Sequence, residues 1–143
     1  MATGLPTILK VNLVTPRGVV AHTDADSVQA PGELGEFELL PGHVPMLAAL
    51  KPGVLTIGSK AKVRYAVSTG YLRVDPSGAV EILIEQAVSA KDVDAEVAKR
   101  DLVSAEAEIA KWGDKPQDGD YVNLRTRAGW AKARLDATAP IAH

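Results

Sequence analysis

The chain has 143 residues, a formal net charge of −2 and no cysteine, a size that suits one domain or a small domain with an appendage. Hydrophobic residues make up 46% and charged residues 24%, which excludes disorder, and no basic excess points to nucleic acid or anionic lipid as a partner. The missing thiols exclude disulfides and thiolate metal sites. Met1 to Pro6 lacks the charged start and apolar core of a signal peptide. No apolar run reaches the ~18–20 residues needed to span a bilayer, so any work at a membrane is expected to go through partners, without insertion.

The first part, to about Val88, reads as β. Leu9, Val11 and Leu13 alternate with Lys10 and Asn12. Ala61, Val63, Tyr65 and Val67 alternate with Lys60, Lys62, Arg64 and Ala66, and Val80, Ile82 and Ile84 with Glu81, Leu83 and Glu85. Period-two alternation places one face in a core and the other outside. Breakers divide the runs, among them Thr15-Pro16-Arg17-Gly18, Ala30-Pro31-Gly32, Leu40-Pro41-Gly42, Lys51-Pro52-Gly53 and Asp75-Pro76-Ser77-Gly78. Turn signals every 8–12 residues between short strands predict an all-β sandwich or barrel of eight to ten strands. A parallel α/β sheet is not expected, because no helix-length segment lies between strands.

After Val88 the pattern changes. Ser89 and Asp92 are both candidate N-caps. Ala95, Ala98, Leu102, Ala105, Ile109 and Trp112 recur at spacings of three and four, which makes one apolar seam on a helix. Gly113 to Gly119 breaks that helix. Tyr121, Leu124, Ala128, Ala131 and Leu135 form a second seam, ending at about Ala137. The expected result is an antiparallel helical hairpin. Six acids against three bases in the first helix, and two against four in the second, favour pairing of the two. Exposed ion pairs contribute only ~0–1 kcal/mol each. The seams are rich in alanine, which buries little area, so the hairpin is expected to be weakly held. It either packs on the β body or waits for a partner. The expected units are residues 1–88, a β-sandwich, and residues 89–143, a helical hairpin, an α+β arrangement.

Signs of chemistry are few. His22, His43 and His143 share no metal-ligand spacing, and His22 falls on a predicted strand facing solvent. No nucleophile elbow or phosphate loop occurs. Glu33, Glu36 and Glu38 cluster, but neither calcium-loop spacing nor an aromatic sugar cleft accompanies them. A solvated acidic loop or a charged loop that touches another protein fits better. Leu40 to Leu47 holds two prolines and a glycine around a tight bend. Either His43 caps or hydrogen-bonds within that bend, or Met46 and Leu47 form an exposed docking edge.

The run Ala30-Pro31-Gly32-Glu33-Leu34-Gly35-Glu36-Phe37-Glu38-Leu39-Leu40-Pro41-Gly42-His43-Val44-Pro45-Met46-Leu47 resembles the signature of the ATP synthase ε family. It continues into Leu50-Lys51-Pro52-Gly53-Val54-Leu55, and later into Ala66-Val67-Ser68-Thr69-Gly70-Tyr71 and Val80-Glu81-Ile82-Leu83. The resemblance covers about residues 8–110 clearly and the second helix more loosely. It implies a ten-stranded β-sandwich followed by a two-helix hairpin, with no cofactor and no catalysis of its own. It also implies a central-stalk rotor subunit that couples ion-driven c-ring rotation to ATP synthesis in the catalytic head.

By this resemblance, Pro31, Gly32, Glu33, Gly35 and Glu36 belong to a c-ring-contacting loop, and Pro41, His43, Met46 and Leu47 to an edge facing the γ subunit. The hairpin folds down on the sandwich or extends along γ. Arg125, Arg127, Lys132 and Arg134 of the second helix would then meet acidic segments at the base of the α/β head and oppose hydrolysis. The same four bases could instead complement the first helix. Some relatives bind ATP through an I-D-x-x-R-A motif. Asp94 matches its acid, but Val97 stands at its arginine, and valine cannot meet a phosphate. ATP binding is therefore not expected. Glu38 replaces a residue that is usually small.

The resemblance and the absent presequence imply a peripheral protein on the cytoplasmic face of a bacterial inner membrane, monomeric when isolated. The alternative is a generic β-sandwich adaptor or ligand-binding module whose helical seams pair between chains. A small hydrolase using Glu36 and His43 would need a pocket of convergent polar groups.

Overall fold

A computed structural model describes residues 7–140. The expectations for Met1–Pro6 and His143 lie outside the described residues. Ten strands come first: β1 (Leu9–Thr15), β2 (Gly18–Ala25), β3 (Ser27–Gly32), β4 (Gly35–Leu39), β5 (Met46–Leu50), β6 (Gly53–Gly58), β7 (Lys62–Val67), β8 (Gly70–Val74), β9 (Ala79–Ile84) and β10 (Ala87–Ser89). A 3-10 turn at Ala90–Asp92 leads to α1 (Ala95–Ala110) and α2 (Gly119–Thr138).

The strands follow the order β10-β7-β6-β3-β5-β8-β9-β1-β2, with β4 added on β3. The pairings are antiparallel except β1 with β9. β3 links the two halves. One of its edges pairs with β4; the other pairs with β6 at Ser27–Gln29 and with β5 at Gly32. Leu9, Val11 and Leu13 of β1 meet Leu72 and Val74 of β8 and Val80, Ile82 and Ile84 of β9 in the core, together with Val28 and Leu55. Each such side chain contributes about 1.5–3 kcal/mol on burial. The alternation expected for β1 and β9 is therefore the one observed.

Three local expectations are corrected. Ala30-Pro31-Gly32 is not a break; it is the end of β3. Pro31 sits where that edge of β3 changes partner from β6 to β5, so its missing N–H costs no ladder bond. Its carbonyl still accepts from the Lys51 amide at 3.0 Å. On β7, Val63 is exposed while Ala66, expected outside, is fully buried. The reason is that α2 covers the outer face of this strand. Finally, neither Ser89 nor Asp92 caps α1. Ser89 precedes the 3-10 turn without a side-chain cap bond, and Asp94 caps α1 by accepting from the Val97 amide at 3.1 Å.

The β8–β9 turn is organised by Asp75. Its carboxylate accepts from the Ser77 hydroxyl, and from the Ser77 and Ala79 amides at 2.8 and 3.0 Å. The Ser77 hydroxyl, then the Ala79 amide, hold the Asp75 carboxyl below its usual range. Gly78 adopts φ +88°, which a glycine takes without strain.

The two helical seams meet each other within one chain. Ala98 and Ala105 of α1, and Leu124 and Ala131 of α2, are buried along this contact. Leu102, Ile109, Trp112, Tyr121, Ala128 and Leu135 are half-buried. At the tip, Trp112 and Tyr121 stack edge to face with centroids 5.2 Å apart, and the Trp112 indole donates to the Lys115 and Pro116 carbonyls. The dimerising arm of the adaptor alternative needed free seams, and here they are occupied. The second face of α2 lies on β6 and β7. There Ala133 and Ala137 bury Ala66, with Val54, Val88, Ala90 and Trp130 around them. The hairpin is folded down on the sandwich.

Candidate functional site

The acidic segment is a hairpin and not a loose loop. Gly32 pairs with Gly35, leaving Glu33 and Leu34 as a two-residue turn. Gly35 has φ +134°, a value closed to ordinary side chains. Pro31 and Gly32 are buried at the base, and Glu33, Gly35 and Glu36 are exposed. Glu36 stands on β4 opposite Pro31. The tip residue is Leu34, which is fully solvent-exposed at 105%. Reading by charge passed over it, although an apolar side chain between two acids at a turn was a visible signal. Glu38 accepts from the Gln29 side chain across the strands at 3.3 Å.

The segment Leu40 to Leu47 divides. The His43 amide donates to the Leu40 carbonyl at 3.1 Å and closes a turn through Pro41 and Gly42, with Gly42 at φ +86°. His43 Nδ1 donates to the Val44 carbonyl at 2.7 Å. The histidine is thus engaged inside its own bend. Met46 and Leu47 do not share a face: Met46 packs against the core, while Leu47 is 70% exposed. Strand alternation on β5 separates them.

Leu47 joins a larger surface. Cross-strand register places Ala49, Tyr71, Leu83, Val14 and Val19 in one row across β5, β8, β9, β1 and β2. These positions point away from the core, and Tyr71 and Leu83 are 58% and 51% exposed. An open groove of about 580 Å³ runs along this row, lined by Val14, Ala49, Tyr71 and Leu83 and reaching Glu33 at the hairpin base. The adjacent row carries Leu47, Arg73, Glu81, Asn12 and His22, with Arg73 and Glu81 ion-paired. His22 faces solvent, as expected. The row is thus a contiguous exposed apolar strip with charged residues along one side. Leu83 and Val14 at outward positions of alternating strands were the signal for it.

The four bases of α2 differ in their engagement. Arg134 pairs with Asp101 at 3.0 Å and lies over the Trp130 ring, and Arg127 pairs with Glu108 at 3.4 Å. Arg125 donates to the Tyr121 hydroxyl at 3.3 Å. Lys132 is exposed, and no ion pair is found for it among the described residues. Asp94 is committed to capping α1, with Val97 one turn on. Among the described residues no group of three or more His, Asp or Glu side chains could hold a metal ion. No helix among them is long and apolar enough to cross a membrane.

Comparison with known proteins follows the same lines. A family described as "ATP synthase, Delta/Epsilon chain, beta-sandwich domain" matches residues 8–90. The ATP synthase epsilon chain of Geobacter sulfurreducens is 42% identical over 114 residues, covering 79% of this chain and 80% of the relative. That of Geotalea uraniireducens is 36% identical over 135 residues, covering 94% and 96%. In fold, the chain resembles one in the Euglena gracilis mitochondrial ATP synthase OSCP/F1/c-ring structure, with a TM-score of 0.77 at 20% identity over 93% of this chain and 82% of that one. It also resembles one in the Tetrahymena thermophila mitochondrial ATP synthase central stalk/c-ring structure, with a TM-score of 0.64 at 20% identity over 96% and 100%. By the family match over residues 8–90 and the identity to these relatives, the chain belongs to the ATP synthase epsilon family, the non-catalytic stalk subunits of that complex.

Proposed function

We propose that the chain is a two-part coupling element of the rotor. The sandwich, residues 1–88, passes torque, and the hairpin, residues 89–143, brakes hydrolysis. The outer row Ala49-Tyr71-Leu83-Val14-Val19, with Leu47 beside it, docks the γ subunit. The β3–β4 turn, with Leu34 at its tip and Glu33 and Glu36 beside it, meets the loops of the c-ring. The α2 bases, Lys132 first because it is exposed, meet the acidic base of the α/β head when the hairpin leaves the sandwich. This assembly places the chain on the cytoplasmic face of a bacterial inner membrane, held there by its partners.

The observation that carries this reading is the exposed apolar row, which runs on the half of the molecule that α2 does not cover. A stable clamp needs on the order of 1,200 Å² or more of buried surface, and a five-strand face can supply it. The test is Leu83→Asp in the full chain. Leu83 points outward, so the sandwich still folds, while binding to a γ-containing stalk complex drops by about thirtyfold or more. Unchanged binding would remove this face from the interface.

A further inference from the structure

The α2 helix sits on the sandwich mostly through alanine and valine side chains, with Trp130 beside them. Ala133 and Ala137 cover Ala66, with Val54 and Val88 at the margin. One polar device is added to this seat. The last carbonyls of any helix lack intrahelical donors and carry the negative end of its dipole. On α2 these carbonyls are met by Arg64, which comes from β7, far earlier in the chain. Arg64 Nη2 donates to the Asp136 carbonyl at 3.0 Å, and Nη1 donates to the Ala139 carbonyl. A planar guanidinium can hold two carbonyls at once, and it brings the charge that a helix C-terminus favours. Among the described residues these are the side-chain hydrogen bonds found between the sandwich and α2.

The contact is also open to water. A groove of about 930 Å³ runs between β7, β10 and the end of α2, with Arg64 in its wall beside Lys62 and Lys91. A contact that water can reach exchanges easily. The α1–α2 contact differs, since it carries two ion pairs and the Trp112–Tyr121 staple.

We propose that Arg64 is a latch: by capping the C-terminus of α2 it sets the ratio of docked to released hairpin, and the hairpin leaves the sandwich as one body. Arg64 is a positioning residue acting through α2, and the stability of the sandwich does not depend on it. Its consequence for hydrolysis rests on the reading of the hairpin as a brake; the latch itself does not.

The test uses the full chain, whose lack of cysteine allows one label pair at exposed positions, Ser59→Cys and Val122→Cys. Spin-label distances and hydrogen exchange in the last turn of α2 are read for the parent, Arg64→Lys and Arg64→Met. Arg64→Met raises the released fraction about tenfold, with the thermal midpoint of the sandwich unchanged. Arg64→Lys falls between the two, because an ammonium keeps the charge but not the fork. Label distances in Arg64→Met equal to the parent's would overturn the latch, as would a lowered sandwich midpoint with the hairpin still docked. Each variant is then added to a stalk-and-head complex lacking its epsilon chain. A released hairpin that leaves ATP hydrolysis unslowed overturns the brake and not the latch.

Discussion

The two apolar contacts of this molecule differ in kind. The sandwich core interlocks leucine, isoleucine and valine from both halves of the sheet, and its largest side chains are fully buried. The seat of α2 is made of alanines, a few valine methyls and one tryptophan edge. The first contact is one that the fold cannot lose. The second is worth a few kcal/mol at most on area alone, the range in which a two-state equilibrium can be shifted by a partner. The two contacts are thus written in different residue sizes.

The largest effect that tests this contrast is expected in the core. Ile82→Ala removes a fully buried side chain and should cost about 2–5 kcal/mol in urea unfolding, with the transition of the whole sandwich moving. Ala66→Leu should cost about 1–3 kcal/mol by overpacking, and should express it at the seat. Amide exchange rises in α2 while the sandwich transition stays in place. Loss of the whole fold in that variant would show the seat to be part of the core.

The smallest effect belongs to the Asp75 turn. Its folded pKa lies below the ordinary value of 3.8, so the stabilisation is present above that value and fades as pH falls through the folded one. Asp75→Asn should be less stable than the parent at neutral pH and equal to it in strong acid. A difference that persisted in strong acid would assign the turn to something other than the carboxylate.

Much of this was legible in the sequence, for physical reasons. β1 and β9 alternate because one face is buried and the other is not, and period two records that directly. The helical seams were legible because each helix buries its stripe against the other. β7 was misjudged because both of its faces are covered at its end, so Ala66 looked like a solvent position. Pro31 was misread as a break because the sequence does not show that β3 changes neighbours at that residue. The candidate surface was half legible. Charge drew attention to Glu33 and Glu36, while the apolar outward row depends on register between five strands that are far apart in the chain. Leu47 is exposed and lies one row from Tyr71 and Leu83, while Met46, expected beside it, packs against the core.

The turn at Glu33 and Leu34 does not hang on a flexible tether. β3 runs straight from it into the body, bonded to β4 on one edge and to β6 and then β5 on the other. A pull along β3 therefore loads several ladder bonds in parallel and in shear, and both halves of the sheet share the strain. Bonds loaded together yield far later than bonds opened one after another. The projection is rooted like a cantilever built into a wall, its base shared by both halves of the sheet.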